Sequence, residues 1–196
     1  MSLLTRALKF LTVLLLLAAV VLWFAARRGD RGYFEEEVSI DRTAPVVYRW
    51  ITTDELLRRW ISDVTKLERT SGAGPTVQAN SVYRLDQFIA THHMSLNVRI
   101  IRVIPNQELE LSVRSAAESA EGFVGDVKFK LLPNGDYTRL VFSSQTKFQS
   151  LGDQIFEPIL TYATRRKLQE DLARLKVMIE AEPGSRSDAS GGRLGQ

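Results

Sequence analysis

His92 and His93 are the only histidines in the chain, and histidine is the side chain best matched to proton transfer near neutral pH. They stand next to each other at the start of HHMSLNVRIIRVI, a stretch of alternating polarity. As strand neighbours they point to opposite faces, so they cannot jointly chelate one metal, and at most one can face a cavity. No HExxH pattern or carboxylate cluster stands beside them, and a general acid or base needs a partner within hydrogen-bond reach. Tyr83 and Asp86 are the other titratable residues nearby, and nothing in their spacing arranges them around a histidine. Gly72 and Gly74 copy the start of a dinucleotide loop, but the third glycine and the following helix are missing and Pro75 interrupts. Ser143 and Ser144 lie in a strand-like run, without the strand-turn-helix elbow that exposes a hydrolase nucleophile. The chain has no cysteine, which excludes disulfides, thiolate metal sites and thiol nucleophiles. These residues assign no catalytic group, no metal site and no cofactor.

What remains is the chemistry of shape. Trp50, Trp60, Tyr83, Phe88, Met94, Phe129, Phe142, Phe156 and Tyr162 are candidates for lining a ligand cavity. Ser144 offers that cavity a hydroxyl if it shares the face of Phe142. For each aromatic, plain core packing is the competing reading, because aromatic side chains fill cores more often than they mark ligands. The RRK run at 165–167 reads as a solvated helix face, with a phospholipid headgroup contact as the weaker alternative.

The elements that must position these residues can be read from periodicity. Residues 34–40 form a first strand, with Val38 and Ile40 inward. Asp41 or Thr43 then offers a helix cap, Pro45 suits a first turn, and Val46, Val47, Trp50 and Ile51 recur at helical spacing. A second short helix starts at Thr53 or Asp54 and carries Leu56, Leu57, Trp60 and Ile61 along one face. From Val64 the period changes to two, and six strands follow: VTKLER, TVQANSVYRLDQFIA, HHMSLNVRIIRVI, ELELSVRSA, GFVGDVKFKLL and YTRLVFSSQTKF. The joints IPNQE and LPNGDY carry the Pro, Asn and Gly that tight hairpins require, which predicts an antiparallel sheet. Residues 152–182 form one long helix with apolar residues three to five apart, ending at EPG. The tail, 183–196, has nothing to bury and reads as disordered.

The first segment differs in kind. Residues 10–26 are an unbroken apolar run between Arg6 and Lys9 on one side and Arg27 and Arg28 on the other, with Trp23 placed for an interface. At about 1.5 Å per residue the run covers roughly 25 Å, a minimal transmembrane span. A cleaved signal peptide is the alternative, but no clear A-x-A site precedes the arginines. The expectation is therefore a single-pass anchor in the cell membrane, over residues 1–31 with their basic flank, followed by a domain at 32–182. Flanking charges balance, so the side on which that domain lies stays open. Residues 1–31 also hold five of the 26 Lys/Arg and one of the 23 Asp/Glu, leaving 21 basic and 22 acidic residues beyond them. A near-neutral domain with no basic stripe gives no reason to expect nucleic acid.

A strand, two short helices, six antiparallel strands and a long helix make an α+β arrangement in which a curved sheet wraps the C-terminal helix. One cylinder does not fill the concavity of such a sheet, so a cavity is expected between them. Over residues 34–182 this order resembles the START/Bet v 1-like superfamily (SRPBCC, polyketide cyclase/dehydrase-like), which has the helix-grip fold. The resemblance is carried by VSIDRTAPVVYRWITTDELLRRWISDV, with its strand, small residue plus proline, helix and tryptophan, and by the closing LQEDLARLKVMIE. Two features depart from it: VQANSVYRL stands where a Gly-rich start of the third strand is expected, and the anchor is extra. The resemblance implies a pocket for a hydrophobic small molecule or lipid, in a superfamily that runs from carriers to occasional enzymes. The expectation is a membrane-tethered binding or carrier module. The alternatives are a cyclase/dehydratase-like enzyme with a titratable residue in the pocket, and a scaffold with a filled core.

Overall fold

The structure is a computed structural model that describes residues 11–17, 32–89, 92–116, 123–148 and 151–183. The chain divides into two units, Met1–Arg31 and Gly32–Gln196, and every labelled element below belongs to the second. The expectation of a single-pass cell-membrane protein is corrected at this point. Among the described residues no helix is long and apolar enough to cross a membrane. Of the apolar stretch only residues 11–17 are described, and they are helical. The rest of that stretch, like the expected disordered tail from 184 onward, lies outside the described residues.

Strand β1 spans Tyr33–Ile40 and is followed by two short helices, α1 at Ala44–Thr52 and α2 at Asp54–Trp60. Six strands come next: β2 Val64–Ser71, β3 Val82–Ile89, β4 His92–Ile104, β5 Glu108–Ser115, β6 Phe123–Asn134 and β7 Tyr137–Phe148. The chain then enters α3, Leu151–Ala181. All seven strands form one antiparallel sheet in the order β1-β7-β6-β5-β4-β3-β2. Consecutive strands from β2 to β7 are therefore hairpin neighbours, and β1 returns to pair with β7 at the far edge. Asn106 and Gly135 hold positive φ in two of the hairpin turns, where only Asn, Asp and Gly sit at little cost.

The expected long third strand is shorter than its alternation implied. Residues 76–80 leave the sheet: Thr76 bridges to Thr53, Val77 donates its N–H to the Thr52 carbonyl, and Asn80 turns at φ 66 before β3 begins. This detour lays the chain against the junction of α1 and α2, where Asp54 N–H bonds to the Pro75 carbonyl. Register shifts in the β2–β3 pair and between Ile100 and Arg102 of β4 bend the sheet, since a bulge increases local twist.

The core sits between the concave face of the sheet and the inner side of α3. Ile40, Leu131 and Leu140 from the sheet, Val47 and Ile51 from α1, and Leu172, Leu175 and Ile179 from α3 close one end of it tightly. Arg42 clamps this end, donating from its guanidinium to the carbonyl of Glu180 at 2.5 Å. Trp50 is buried there too, its indole N–H donating to the Glu182 carboxylate at 3.0 Å. The described residues leave the other end of the concavity unfilled.

Candidate functional site: a cavity under the long helix

Period two decides what faces the unfilled space. On β3 it is Tyr83, Leu85 and Gln87; on β4, Met94, Leu96, Val98 and Ile100; β5 and β6 add Leu111 and Val127, and β7 adds Phe142 and Ser144. Trp60 of α2 and Leu160, Thr164, Lys167, Leu168 and Asp171 of α3 complete the wall. With their neighbours they line a partly open cavity of about 270 Å³. Phe142 organises one side, with Phe129 edge-on at 5.0 Å between ring centroids and Phe34 stacked at 5.9 Å.

The ten residues singled out in the sequence fall in different places. Trp60, Tyr83, Met94, Phe129, Phe142 and Ser144 border the cavity. Trp50 does not: α1 turns it to the closed end and the Glu182 carboxylate, while Ile51 beside it reaches the cavity wall. Phe88 lies on the opposite face of β3, exposed and edge-on to His93 at 5.2 Å; its distance of five residues from Tyr83 is an odd number and puts it outside. Tyr162 is 66% exposed, because the inner side of α3 runs through Leu160, Thr161, Thr164 and Leu168 and leaves it facing out. Phe156 lies in α3, and its side chain is outside the described residues.

Trp60 serves two purposes. It is 3% exposed, and its indole N–H donates to the Trp50 carbonyl at 3.2 Å. That carbonyl would ordinarily accept from the N–H four residues on, but the Asp54 N–H is turned to Pro75. The indole therefore caps α1 while its ring forms part of the cavity wall.

The titratable groups that the sequence singled out have identifiable surroundings. Tyr83 donates its phenol proton to Asp54 Oδ1 at 2.9 Å, and the Arg69 guanidinium meets both Asp54 oxygens at 2.8 Å while lying over the Tyr83 ring at 5.1 Å. Burial, and then the Asp54 carboxylate, push the phenol well above the ordinary tyrosine range, so its proton stays in place near neutral pH. Asp86 points to the outer face, where a hydrogen bond from Ser95 and then the Arg84 charge lower its pKa. His93 is exposed on that same outer face, and the His92 side chain is outside the described residues. Among the described residues no three His, Cys, Asp or Glu side chains come together to hold a metal.

One polar feature of the wall escaped the sequence reading. Lys167 and Asp171 form an ion pair at 2.7 Å with side chains only 13% and 6% exposed, and the Ser62 N–H donates to the other Asp171 oxygen at 2.9 Å. Both residues border the cavity. The RRK run looked like a solvated face, yet Lys167 stands seven residues after Leu160 and three after Thr164, on the inner stripe of α3. The spacing of four to Asp171 is the one at which helix side chains meet. Reading the stripe before the charge would have found the pair.

A family model described as polyketide cyclase / dehydrase and lipid transport matches residues 31–180. No curated protein sequence matches the chain. Among solved structures, a conserved protein from Geobacillus kaustophilus superposes with TM-score 0.61 at 13% identity, over 75% of this chain and 94% of the other. A protein from Thermus thermophilus gives 0.61 at 17% identity, over 78% and 99%. Ara h 8.0201 gives 0.59 at 15% identity, over 76% and 98%. At such identities the likeness shows the fold alone.

Proposed function

We propose, for a chain that belongs to the polyketide cyclase/dehydrase and lipid transport family and so to the START/Bet v 1-like (SRPBCC) superfamily, that it is a binding or carrier module for a hydrophobic small molecule or lipid. The observation that carries this reading is the cavity of about 270 Å³ between sheet and α3, walled mainly by aliphatic and aromatic side chains. A space of that kind favours transfer of apolar surface out of water, at about 25 cal/mol per Å² buried. It also speaks against a scaffold with a filled core.

Catalysis would need a group free to exchange a proton with the ligand. Tyr83 holds its proton against Asp54, Lys167 and Asp171 engage each other, and His93 and Asp86 lie on the outer face. That disposition favours binding over chemistry.

The test is native mass spectrometry of the purified full-length chain beside a Val127→Trp variant, whose indole occupies the cavity. A bound small molecule in the unaltered chain, absent from a variant that still folds, is the expected result. Equal ligand mass in both, or no uptake of any apolar compound by the unaltered chain, would overturn it.

A further inference from the structure

The cavity's polar groups are few and unevenly placed, and they restrict what can fill it. Lys167 spends one of its three N–H donors on Asp171, and Asp171 is matched twice, by Lys167 and by the Ser62 N–H. Gln87, 9% exposed, faces the cavity, and no hydrogen bond engages its amide among the described residues. It belongs to the same corner: Ser62 lies two residues before Val64, the register partner of Gln87, and Phe88 N–H bonds to the Asp63 carbonyl. Across the cavity on β7, Ser144 is 6% exposed, and no hydrogen bond engages its hydroxyl among the described residues.

Resting on the binding reading above, we propose that the ligand is a neutral, oxygen-bearing apolar compound whose carbonyl or hydroxyl docks on the Lys167 ammonium and the Gln87 amide. A pure hydrocarbon would displace water from this corner and leave buried donors without acceptors, which costs binding energy. A carboxylate or phosphate would supply acceptors but add a net negative charge beside an ion pair that is already balanced, in a space walled by apolar groups. A neutral oxygen satisfies the donors without that charge. Volume limits the size: about 150 Å³ takes one benzene, so about 270 Å³ takes roughly eleven non-hydrogen atoms, the scale of a fused two-ring compound or a chain of about ten carbons.

Three probes that differ only in the substituent test this: naphthalene, 2-naphthol and 2-naphthoate, titrated into the full-length chain at pH 7 by calorimetry. The expected order places 2-naphthol about tenfold tighter than naphthalene, with 2-naphthoate weaker than 2-naphthol. In Gln87→Leu and Lys167→Met the advantage of naphthol should shrink to about twofold, while naphthalene still binds. Gln87→Leu removes no charge, so it decides the matter if Lys167→Met fails to fold. Equal binding of naphthalene and naphthol, tightest binding of naphthoate, or a naphthol advantage that survives Gln87→Leu would each overturn the assignment while leaving the binding reading intact. Failure of all three probes to bind would bring down the binding reading and this inference with it.

Discussion

Replacing Trp60 separates its two tasks, because Phe and Ala remove different parts of the indole. Trp60→Phe keeps most of the apolar body but deletes the N–H, leaving the buried Trp50 carbonyl without a donor. An unsatisfied buried group of this kind costs about 1–3 kcal/mol. Trp60→Ala removes the ring as well. For a tryptophan packed on all sides the loss is about 3–5 kcal/mol, but one side of this indole already borders open space, so the expected value is the lower end, about 3 kcal/mol. For a domain of this size that corresponds to a Tm drop of roughly 6–12 °C. Urea denaturation of both variants, followed by circular dichroism, measures the two losses. A Trp60→Phe variant as stable as the parent would refute the capping role. A Trp60→Ala loss well above about 5 kcal/mol would mean that the ring has no free side, and the cavity wall would have to be redrawn.

Other outcomes follow from the same geometry. Asp54→Ala strips the partner from Arg69, whose side chain is 11% exposed, and from the Tyr83 hydroxyl, so it should cost about 3–5 kcal/mol in chemical denaturation, against about 1 kcal/mol for Tyr83→Phe. Glu180 gives a pH signature. Burial alone would raise its pKa, but the Asp41 N–H at 2.8 Å, the Lys176 ammonium at 2.7 Å and the Arg42 charge outweigh it and hold it below the ordinary carboxylate value. Its folded pKa is thus depressed, so its contribution is present above the unfolded-chain pKa and is lost as pH falls from there through the folded value. Thermal melts across that acidic window should flatten in Glu180→Gln, and an unchanged slope would contradict the assignment. His93→Ala should leave naphthalene affinity within about twofold of the parent, because the ring lies on the outer face and the binding term scales with buried apolar area; a larger loss would place the histidine at the ligand.

Much of the architecture is written in local periodicity. Strict alternation is a property of a half-buried strand, so the inward set on β4 and β7 can be counted from Met94 and Phe142 without coordinates. The same count, applied across β3, separates Tyr83 from Phe88. The short helices are less legible, because spacing shows that Trp50 and Trp60 are both inward but not which end of the core each reaches. That depends on the detour of residues 76–80 and on the Glu182 carboxylate, both distant in sequence. Lys167 and Asp171 were hidden for another reason. Charge normally signals solvent, and only the pairing of two charges on one helix stripe, with a backbone N–H from Ser62 as third partner, permits their burial. The apolar run near the N-terminus shows the converse limit: hydropathy measures length and composition, and an expectation of membrane insertion drawn from it found no spanning helix among the described residues.

The central claim is that the space beneath α3 admits a ligand, and diffraction from crystals of the full-length chain soaked with 1-bromonaphthalene tests it most directly. The account predicts an anomalous bromine peak inside the cavity, within about 4–4.5 Å of the side chains of Leu111, Val127 or Phe142. Bromine found only on the outer surface, with those side chains packed together and no space between them, would contradict it.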